Sequence, residues 1–401
     1  MAATVGAQEA EPGAAAAHAA ASQAATPSSP LTLTPSVMAS ELSPSSFKPA
    51  RVFKPEDEPD SFTSISFTDD GKFAVAAADD EELHILDAYS GTYKRKIAVH
   101  QHGVGLVRCT HSNSAVLHTS TRAQFNVQYL ALDEHKYVRS FRGHEGPIVS
   151  LAVCPKDDTF LTGGDNDAVK VWDLRKPTAV GSLEIANHSC VAYDPAGMIF
   201  AVGLNLKMSV SLYDRRAFNQ QPFLTFVIDD MIGKTSEPGR TPILTSLQFS
   251  NDGSCLLVGT SSDLHFVLDA FDGRILARLV TEEQTQGFMR AGPGLERATE
   301  SPHTLPIEPT AGISGEELSW SPDGRFIVSG SIDGKLNIWD MQTTDERAQS
   351  GSPYGPMHNL FPLKTLDAHG SPSRAVQFNP QRAMFASAGR EVAFWLPDLT
   401  A

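Results

Sequence analysis

The feature that most constrains the fold of this 401-residue chain is a strand-rich pattern that recurs seven times. The clearest copy reads GHEGPIVSLAVCPKDDTFLTGGDNDAVKVWD, from Gly143-His144 to Trp172-Asp173. The copies end at Asp87, Asp133, Asp173, Asp214, Asp269, Asp340 and Trp395. The first four end points lie 46, 40 and 41 residues apart, which matches the roughly 40 to 45 residues of a four-stranded propeller blade. The sequence therefore predicts an all-β fold, a seven-bladed β-propeller.

Tight turns join two apolar strands in several copies of the pattern. They read Asp69-Asp70-Gly71, Asp252-Gly253 and Pro322-Asp323-Gly324, and their glycines supply the positive φ that such turns need. The flanking strands are apolar because blade strands are covered on both faces. One blade cannot bury those faces alone, whereas a closed ring buries them and removes long exposed sheet edges. The Gly-His start and Trp-Asp end are typical of WD repeats.

The wider spacings later in the chain predict loop insertions within the propeller. The last three steps between end points are 55, 71 and 55 residues. Segments rich in polar residues, Gly or Pro account for the excess, near residues 229–242, 281–315 and 342–362. Residues 1–48 are rich in Ala, Pro and Ser, so we expect a disordered tail that buries too little surface to fold. The propeller is predicted to span residues 49–401.

Closure of the ring is predicted to use both ends of the propeller. The segment Arg51–Lys54 has a strand-like apolar centre and precedes the first repeat. The last repeat stops soon after Trp395. We therefore expect this segment to pair as the outer strand of the last blade.

Composition argues against several classes of function. The chain carries 32 Lys and Arg against 47 Asp and Glu, a formal net charge of −15. Direct nucleic-acid binding is not expected, because it depends on cationic contacts to phosphate. The sequence contains no run of eighteen or more apolar residues, so a membrane span is not expected. The four cysteines form no CxxC pair, and we expect buried, reduced thiols.

No motif in the sequence indicates catalysis, and we expect no catalytic, cofactor or metal site. There is no GxSxG, no P-loop and no GxGxxG that opens a helix. The histidines between residues 100 and 135 do not have the spacing of a zinc motif. A propeller enzyme, which would need converging carboxylates or a metal in the central channel, is therefore a weak alternative.

His144 is better interpreted as part of a structural hydrogen-bond relay than as a catalytic group. In WD repeats such a relay joins a loop histidine, a strand Ser or Thr, a turn Asp and a Trp. The candidates in the third repeat are His144, Thr162, Asn166 and Trp172. An ungapped comparison with the sixth repeat places Asn166 opposite its Asp, and that repeat lacks a Gly-His. We therefore expect no repeat to carry the whole relay; the sixth-repeat candidates are Asp333 and Trp339.

Three arginines follow the ends of the third and fourth repeats. The sequences are WDLR, with Arg175, and YDRR, with Arg215 and Arg216. A WDxR-like box can place an arginine where adaptors of cullin-RING ubiquitin ligases grip some propellers. The alternative is that each arginine pairs with nearby acids or with solvent.

Roughly from Arg51 to Leu399, about seven-eighths of the chain, the sequence resembles one WD-repeat family. It is similar to the propeller subunit of COMPASS, a SET-domain histone-lysine methyltransferase complex; in yeast this subunit is shared with the cleavage and polyadenylation factor. The resemblance is carried by SFRGHEGPIVSLAVCPKDDTFLTGG, CVAYDPAGMIFAVG, LYDRRAF, LQFSNDG, VLDAFDG and QFNPQRAMFASAGREVAFWLPDL. The ending AFWLP is unusual for WD repeats, whereas the long tail and the 281–315 insertion depart from the compact family pattern.

The resemblance implies a non-catalytic nuclear scaffold. Its partners would be a SET-domain methyltransferase and polyadenylation-factor subunits, with indirect association with phosphorylated RNA polymerase II. It would support complex stability, recruitment to transcribed chromatin, and mRNA 3'-end processing or transcription termination. A substrate receptor of a cullin-RING ligase is the alternative binding function, and the sequence contains no basic nuclear-import run.

Overall fold

The computed structural model shows an all-β protein whose sheets are arranged as the blades of a propeller. Its β-strands are accompanied by single 3-10 turns at Asn205–Lys207 and Arg215–Ala217. The described part contains no helix with the length and apolarity of a membrane span. The structure describes residues 47–55, 61–122, 124–228, 240–261, 264–281, 305–307, 315–342 and 359–397.

The first four blades follow one another along the chain, after strand β1 (Phe47–Phe53), which joins the last blade. Blade 1 consists of β2 (Phe62–Phe67), β3 (Phe73–Ala78), β4 (Glu82–Asp87) and β5 (Thr92–Ala98). Blade 2 consists of β6 (Val107–Cys109), β7 (Ala115–Thr119), β8 (Val127–Ala131) and β9 (Lys136–Phe141). Blade 3 consists of β10 (Ile148–Val153), β11 (Thr159–Gly164), β12 (Asp167–Asp173) and β13 (Gly181–Asn187). Blade 4 consists of β14 (Ser189–Tyr193), β15 (Ile199–Leu204), β16 (Ser209–Asp214) and β17 (Leu224–Val227).

The last three blades include strands from the predicted insertions and from the start of the chain. Outside the blades, β18 (Arg240–Pro242) pairs in parallel with β23 (Leu305–Ile307). Blade 5 consists of β19 (Leu244–Phe249), β20 (Cys255–Thr260), β21 (His265–Asp269), β22 (Ile275–Leu279) and β27 (Asn359–Leu360). Blade 6 consists of β24 (Leu318–Trp320), β25 (Phe326–Gly330), β26 (Lys335–Asp340) and β28 (Lys364–Asp367). Blade 7 consists of β29 (Ala375–Phe378), β30 (Phe385–Ala388), β31 (Val392–Pro397) and β1.

The blades close into a ring, which confirms the predicted seven-bladed propeller. Within the described residues, the first strand of each blade packs against the first strand of the next, and β29 of blade 7 packs against β2 of blade 1. The Phe62 amide also donates to the Gly389 carbonyl across the last junction, at 2.7 Å. Each sheet is therefore covered on both sides by its neighbours.

Closure by the N-terminal segment is confirmed. Strand β1 pairs antiparallel with β31, in a register that runs from Phe47 opposite Pro397 to Phe53 opposite Val392. The strand begins at Phe47, so Phe47 and Lys48 belong to the propeller rather than to the predicted tail. Residues 1–46 lie outside the described residues, as do most of the three predicted insertions.

The core consists of apolar clusters that lie between neighbouring sheets. One such cluster packs small alanines of β3 in blade 1 against Phe394 and Val392 of blade 7. Another joins Phe47 of β1 to Trp395 and to Ile338 of blade 6. Because these clusters bridge blades, the free energy of burial stabilises the ring as a whole rather than single blades.

A set of polar side chains on the first strands links one blade to the next. Each accepts a hydrogen bond from a backbone N–H on the first strand of the following blade, at 2.9 to 3.1 Å. These N–H groups would otherwise lack a strand partner on the channel side, and buried amides without a partner are costly. The pairs are Ser66 with Cys109, Ser150 with Val191, Gln248 with Trp320, Ser319 with Phe378, and Gln377 with Phe67.

Candidate functional site

The third blade contains a hydrogen-bonded relay of four side chains. The Trp172 indole N–H donates to Thr162 Oγ1 at 2.8 Å. Thr162 Oγ1 lies 2.6 Å from His144 Nε2, and His144 Nδ1 lies 2.5 Å from Asp167 Oδ2. Strands β11 and β12 hold the Thr and the Trp side by side, and the loop before β10 brings in the histidine. The structure thus brings together the predicted His144, Thr162 and Trp172.

The acid of the relay is Asp167, so the expectation that the third repeat lacks a carboxylate at this point is wrong. Asn166 adopts the left-handed conformation in the turn, with a φ of 53°. In the matching turn of blade 6 the left-handed residue is Gly334, one position after the residue that aligns with Asn166. Asn adopts this conformation more readily than most residues. The shift turns Asp167 towards the histidine, and an ungapped comparison cannot show it.

The relay has the protonation pattern of a neutral imidazole. Burial lowers the pKa of His144, and the hydrogen bond that His144 donates to Asp167 works against that effect. Burial would raise the pKa of Asp167, but backbone N–H groups of Glu145 and Ala168 and the imidazole lower it. Nδ1–H therefore donates to the carboxylate, and Nε2 accepts from the Thr162 hydroxyl, which in turn accepts from Trp172. Every member has a partner, so the relay fixes the turn against the strands.

The seventh blade contains a second relay that the sequence analysis missed. The Trp395 indole N–H donates to Ser387 Oγ at 2.8 Å, and Ser387 Oγ lies 2.7 Å from His369 Nε2. His369 Nδ1 lies 3.7 Å from Glu391 Oε1, which is too long for a hydrogen bond. Burial lowers the pKa of His369 to about 4. The available signal was the 26-residue spacing from His369 to Trp395, close to the 28 residues from His144 to Trp172.

The sixth-blade candidates do not join in a relay. Asp333 forms an ion pair with Lys335 at 2.7 Å. Trp339 is fully buried, and its indole nitrogen has no hydrogen-bond partner among the described residues. Ser329, which stands where blade 3 has Thr162, instead lies 3.3 Å from Nε2 of His265 in blade 5. The histidine that meets this serine thus comes from the neighbouring blade.

The three arginines differ in how their side chains are engaged. Arg175 is held by Asp173 of its own turn, with both guanidinium contacts at 2.9 Å. Arg215 forms an ion pair with Asp157 of blade 3 and donates to Cys154 Sγ at 3.3 Å. Arg216 is exposed, and no carboxylate among the described residues lies within ion-pair distance of its guanidinium. Only Arg216 of the three thus has a guanidinium available to a partner.

A charged pair crosses the centre of the ring. The guanidinium of Arg108, on β6 of blade 2, meets the Glu316 carboxylate through two nitrogens, at 2.6 and 2.5 Å. Glu316 precedes β24 of blade 6 and bridges to Ala375 of blade 7. Blades 2 and 6 are not neighbours, so this pair spans the channel. Burial alone would lower the pKa of Arg108, but the Glu316 charge raises it.

Comparisons with known proteins agree with this architecture. The family described as "WD domain, G-beta repeat" matches residues 135–173 and 312–340, which include the ends of the third and sixth repeats. WD repeat-containing protein 82 of Drosophila melanogaster is 33% identical over 353 residues, covering 88% of this chain and 95% of that protein.

Two fungal relatives have names that mention a complex. The COMPASS component SWD2 of Saccharomyces cerevisiae is 28% identical over 355 residues, covering 88% of this chain and 96% of that protein. The Set1 complex component swd2 of Schizosaccharomyces pombe is 32% identical over 246 residues, covering 60% of this chain and 66% of that protein. The resemblance inferred from the sequence is confirmed. Because WD repeat-containing protein 82 is 33% identical over 88% of this chain and 95% of its own length, this protein belongs to the WD-repeat family of WD repeat-containing protein 82.

Proposed function

We propose that this protein is a non-catalytic scaffold subunit of a nuclear histone-lysine methyltransferase complex of the COMPASS type. The observation that carries the proposal is similarity to relatives named as COMPASS and Set1 complex components, which extends over 96% of the COMPASS component SWD2 and 66% of the Set1 complex component swd2. The alignment with SWD2 covers 96% of that protein, so the shared part is the propeller itself rather than one repeat. The partners are a SET-domain methyltransferase and its associated subunits.

The physical properties of the ring suit a rigid platform. Hydrogen bonds between first strands link neighbouring blades, and the Arg108–Glu316 pair links blades on opposite sides of the channel. The two tryptophan relays tie a loop to the strands within blades 3 and 7. Rigid surfaces lose little conformational entropy when a partner binds, which favours affinity and a fixed geometry. The polar groups of the blade 3 relay are all engaged with one another, which supports a structural role for them.

Further roles follow from the resemblance to the propeller subunit shared with the polyadenylation factor. We propose association with polyadenylation-factor subunits and a role in mRNA 3'-end processing or transcription termination. Contact with phosphorylated RNA polymerase II would be indirect, as would any link to nucleic acid, because the chain has a net charge of −15. Recruitment of the methyltransferase to transcribed chromatin would then depend on these protein contacts.

Affinity purification of the tagged full-length protein from nuclear extract tests the proposal. We expect a SET-domain methyltransferase to be recovered in near-stoichiometric amount, together with methyltransferase activity on histone H3. Recovery of a cullin and its adaptor without the methyltransferase would contradict the scaffold assignment and favour a ubiquitin-ligase receptor.

The arginines allow the ligase alternative to be tested separately. Arg216 is exposed and available, whereas Arg175 is occupied by Asp173. If a cullin adaptor binds this face, Arg216→Glu should abolish its recovery, and Arg175→Glu should weaken it less. If the methyltransferase assembly is the only partner and does not use this face, neither substitution should change what is recovered.

A further inference from the structure

Three potential metal ligands lie in the turn before the third strand of blade 1 and at the start of that strand. The sequence Asp80-Glu81-Glu82-Leu83-His84 enters β4 from the preceding turn. Side chains at every second position of a strand lie on the same face, which places Glu82 and His84 together. Asp80 lies in the turn, where its Oδ1 accepts from the Glu82 amide at 3.0 Å. Asp80, Glu82 and His84 each offer one donor atom, and these atoms all lie within 4.8 Å of one another.

His84 is the unusual member of this group, which we call the β4 triad. It is only 2% exposed, yet neither ring nitrogen has a hydrogen-bond partner. The Asp80 carboxylate oxygen lies 3.7 Å from Nε2, beyond hydrogen-bond distance. Buried polar atoms in native proteins are almost always satisfied by a protein group, a water or an ion. A polar partner for the imidazole is therefore expected between it and the carboxylates.

Aromatic rings enclose the other sides of the imidazole. The ring centroid of Phe62, which lies edge-on, is 5.2 Å from that of His84, and the ring centroid of Phe53 is 5.9 Å from it. Tyr93 lies at 6.1 Å and stacks on Phe53 at 4.7 Å. Phe53 belongs to the closing strand β1, so the triad lies where blade 1 meets blade 7. The aromatic neighbours make water access easiest from the carboxylate side, where the Asp80 side chain is 24% exposed.

Charge at the triad also fits a cation. Two carboxylates lie close to the histidine, and Lys96 Nζ lies 3.0 Å from Glu82 Oε2. The Lys96 side chain is 45% exposed, so it can swing into solvent and leave Glu82 to another cation. The lysine thus occupies the site as a competitor that can be displaced.

We propose that Asp80, Glu82 and His84 bind a divalent cation of the zinc class, with a water as the fourth ligand. One imidazole and two carboxylates, with an open position, form a ligand set that zinc accepts. Calcium would require six to eight oxygen ligands, which this group does not provide. Tetrahedral zinc places its ligand atoms about 3.3 Å apart, so binding requires the donor atoms, which lie within 4.8 Å of one another, to close by up to about 1.5 Å and Lys96 to move.

The ion would join the turn before β4 to a buried residue beside the closing strand. Bound zinc should therefore stabilise the junction of blades 1 and 7, because a ligand that binds only the folded state raises its stability. This effect is independent of which complex the protein enters.

Zinc titration of the tag-free, full-length protein tests the proposal. We expect one zinc per chain by calorimetry, and tetrahedral absorption bands when Co²⁺ replaces zinc. Glu82→Gln and Asp80→Asn should each weaken zinc binding at least tenfold, and both positions are partly exposed, so these variants should fold. His111→Gln is the matched control: His111 pairs with Asp69 at 2.8 Å but belongs to no such triad, and the variant should bind zinc as the wild type does.

Lys96→Met gives the sharpest result, because it distinguishes a metal site from an ordinary surface ion pair. Removing the ammonium should tighten zinc binding severalfold and increase the zinc-dependent rise in melting temperature. If the Lys96–Glu82 contact were only structural, the substitution would leave zinc binding unchanged. Substoichiometric zinc in the wild type, or equal affinity in the wild type and Glu82→Gln, would overturn the proposal.

Discussion

Replacing Phe47 with alanine should open the junction that closes the ring. Phe47 is the one fully buried side chain of β1. It is 2% exposed, and its ring lies 5.1 Å from that of Phe385 and 6.5 Å from that of Phe378. Removing a buried Phe side chain costs about 3–5 kcal/mol, which is a large part of a typical total stability of roughly 5–15 kcal/mol. The melting temperature of a long chain falls by about 2 °C for each kcal/mol of lost stability, so the melting temperature of this variant should fall by about 6–10 °C.

Val52 on the same strand provides the control. It is 53% exposed, so Val52→Ala should change stability by less than about 0.5 kcal/mol. Calorimetry or circular dichroism on the two variants measures the difference directly. Deletion of residues 1–54 should be more harmful than Phe47→Ala, whereas deletion of residues 1–45 should leave the transition in place. Equal melting temperatures for Phe47→Ala and Val52→Ala would refute the argument that β1 locks the ring.

Three further predictions concern buried ionisable groups. Burial lowers the pKa of His118, His265 and His369 to about 4 in the folded protein, below the ordinary 6.5. Between these two pH values the unfolded chain binds more protons than the folded protein, so stability falls as the pH drops through that window, by up to about 3 kcal/mol for each histidine. A urea midpoint that stays constant from pH 7 to pH 5 would contradict this. Asp167→Asn should cost about 1–3 kcal/mol by weakening the blade 3 relay, whereas the exposed Asp158→Asn should have little effect in the same denaturation assay. Arg108→Met should lower the free energy of unfolding by about 3–5 kcal/mol, because it removes the main charge partner of Glu316. The double variant that also carries Glu316→Leu should lose less stability than Arg108→Met alone. Strictly additive losses from the two substitutions would contradict this.

Much of the fold could be predicted because the repeat leaves local signals. Apolar strands, Asp-Gly turns and the spacing of Trp-Asp ends are all set within one blade. Gly71 shows this locality: its φ of 66° lies in the first turn of blade 1, where the sequence predicted a positive φ. The pairing of β1 with β31 was predictable for a different reason, since a ring must close and only the two ends were left to close it.

The polar contacts were harder to predict because they depend on geometry that spacing does not reveal. A one-residue shift of the left-handed position from 167 to 166 decided that Asp167, not Asn166, meets His144. The Arg108–Glu316 pair joins residues 208 positions apart across the channel, and no sequence period connects them. The residues of the β4 triad lie within five positions of one another in the sequence, but only burial distinguishes His84 from an ordinary surface histidine.

Reconstitution with the SET-domain methyltransferase tests the central claim of a chemically inert, closed scaffold most directly. Purified wild-type protein and the Phe47→Ala variant would each be mixed with the methyltransferase subunits, and complex recovery and histone methylation measured together. We expect no methylation by the propeller alone, a stable and more active assembly with the wild type, and weaker assembly with the ring-opened variant at temperatures near its transition. Methyl transfer by the propeller alone, or an assembly whose stability and activity are the same without it, would contradict the account.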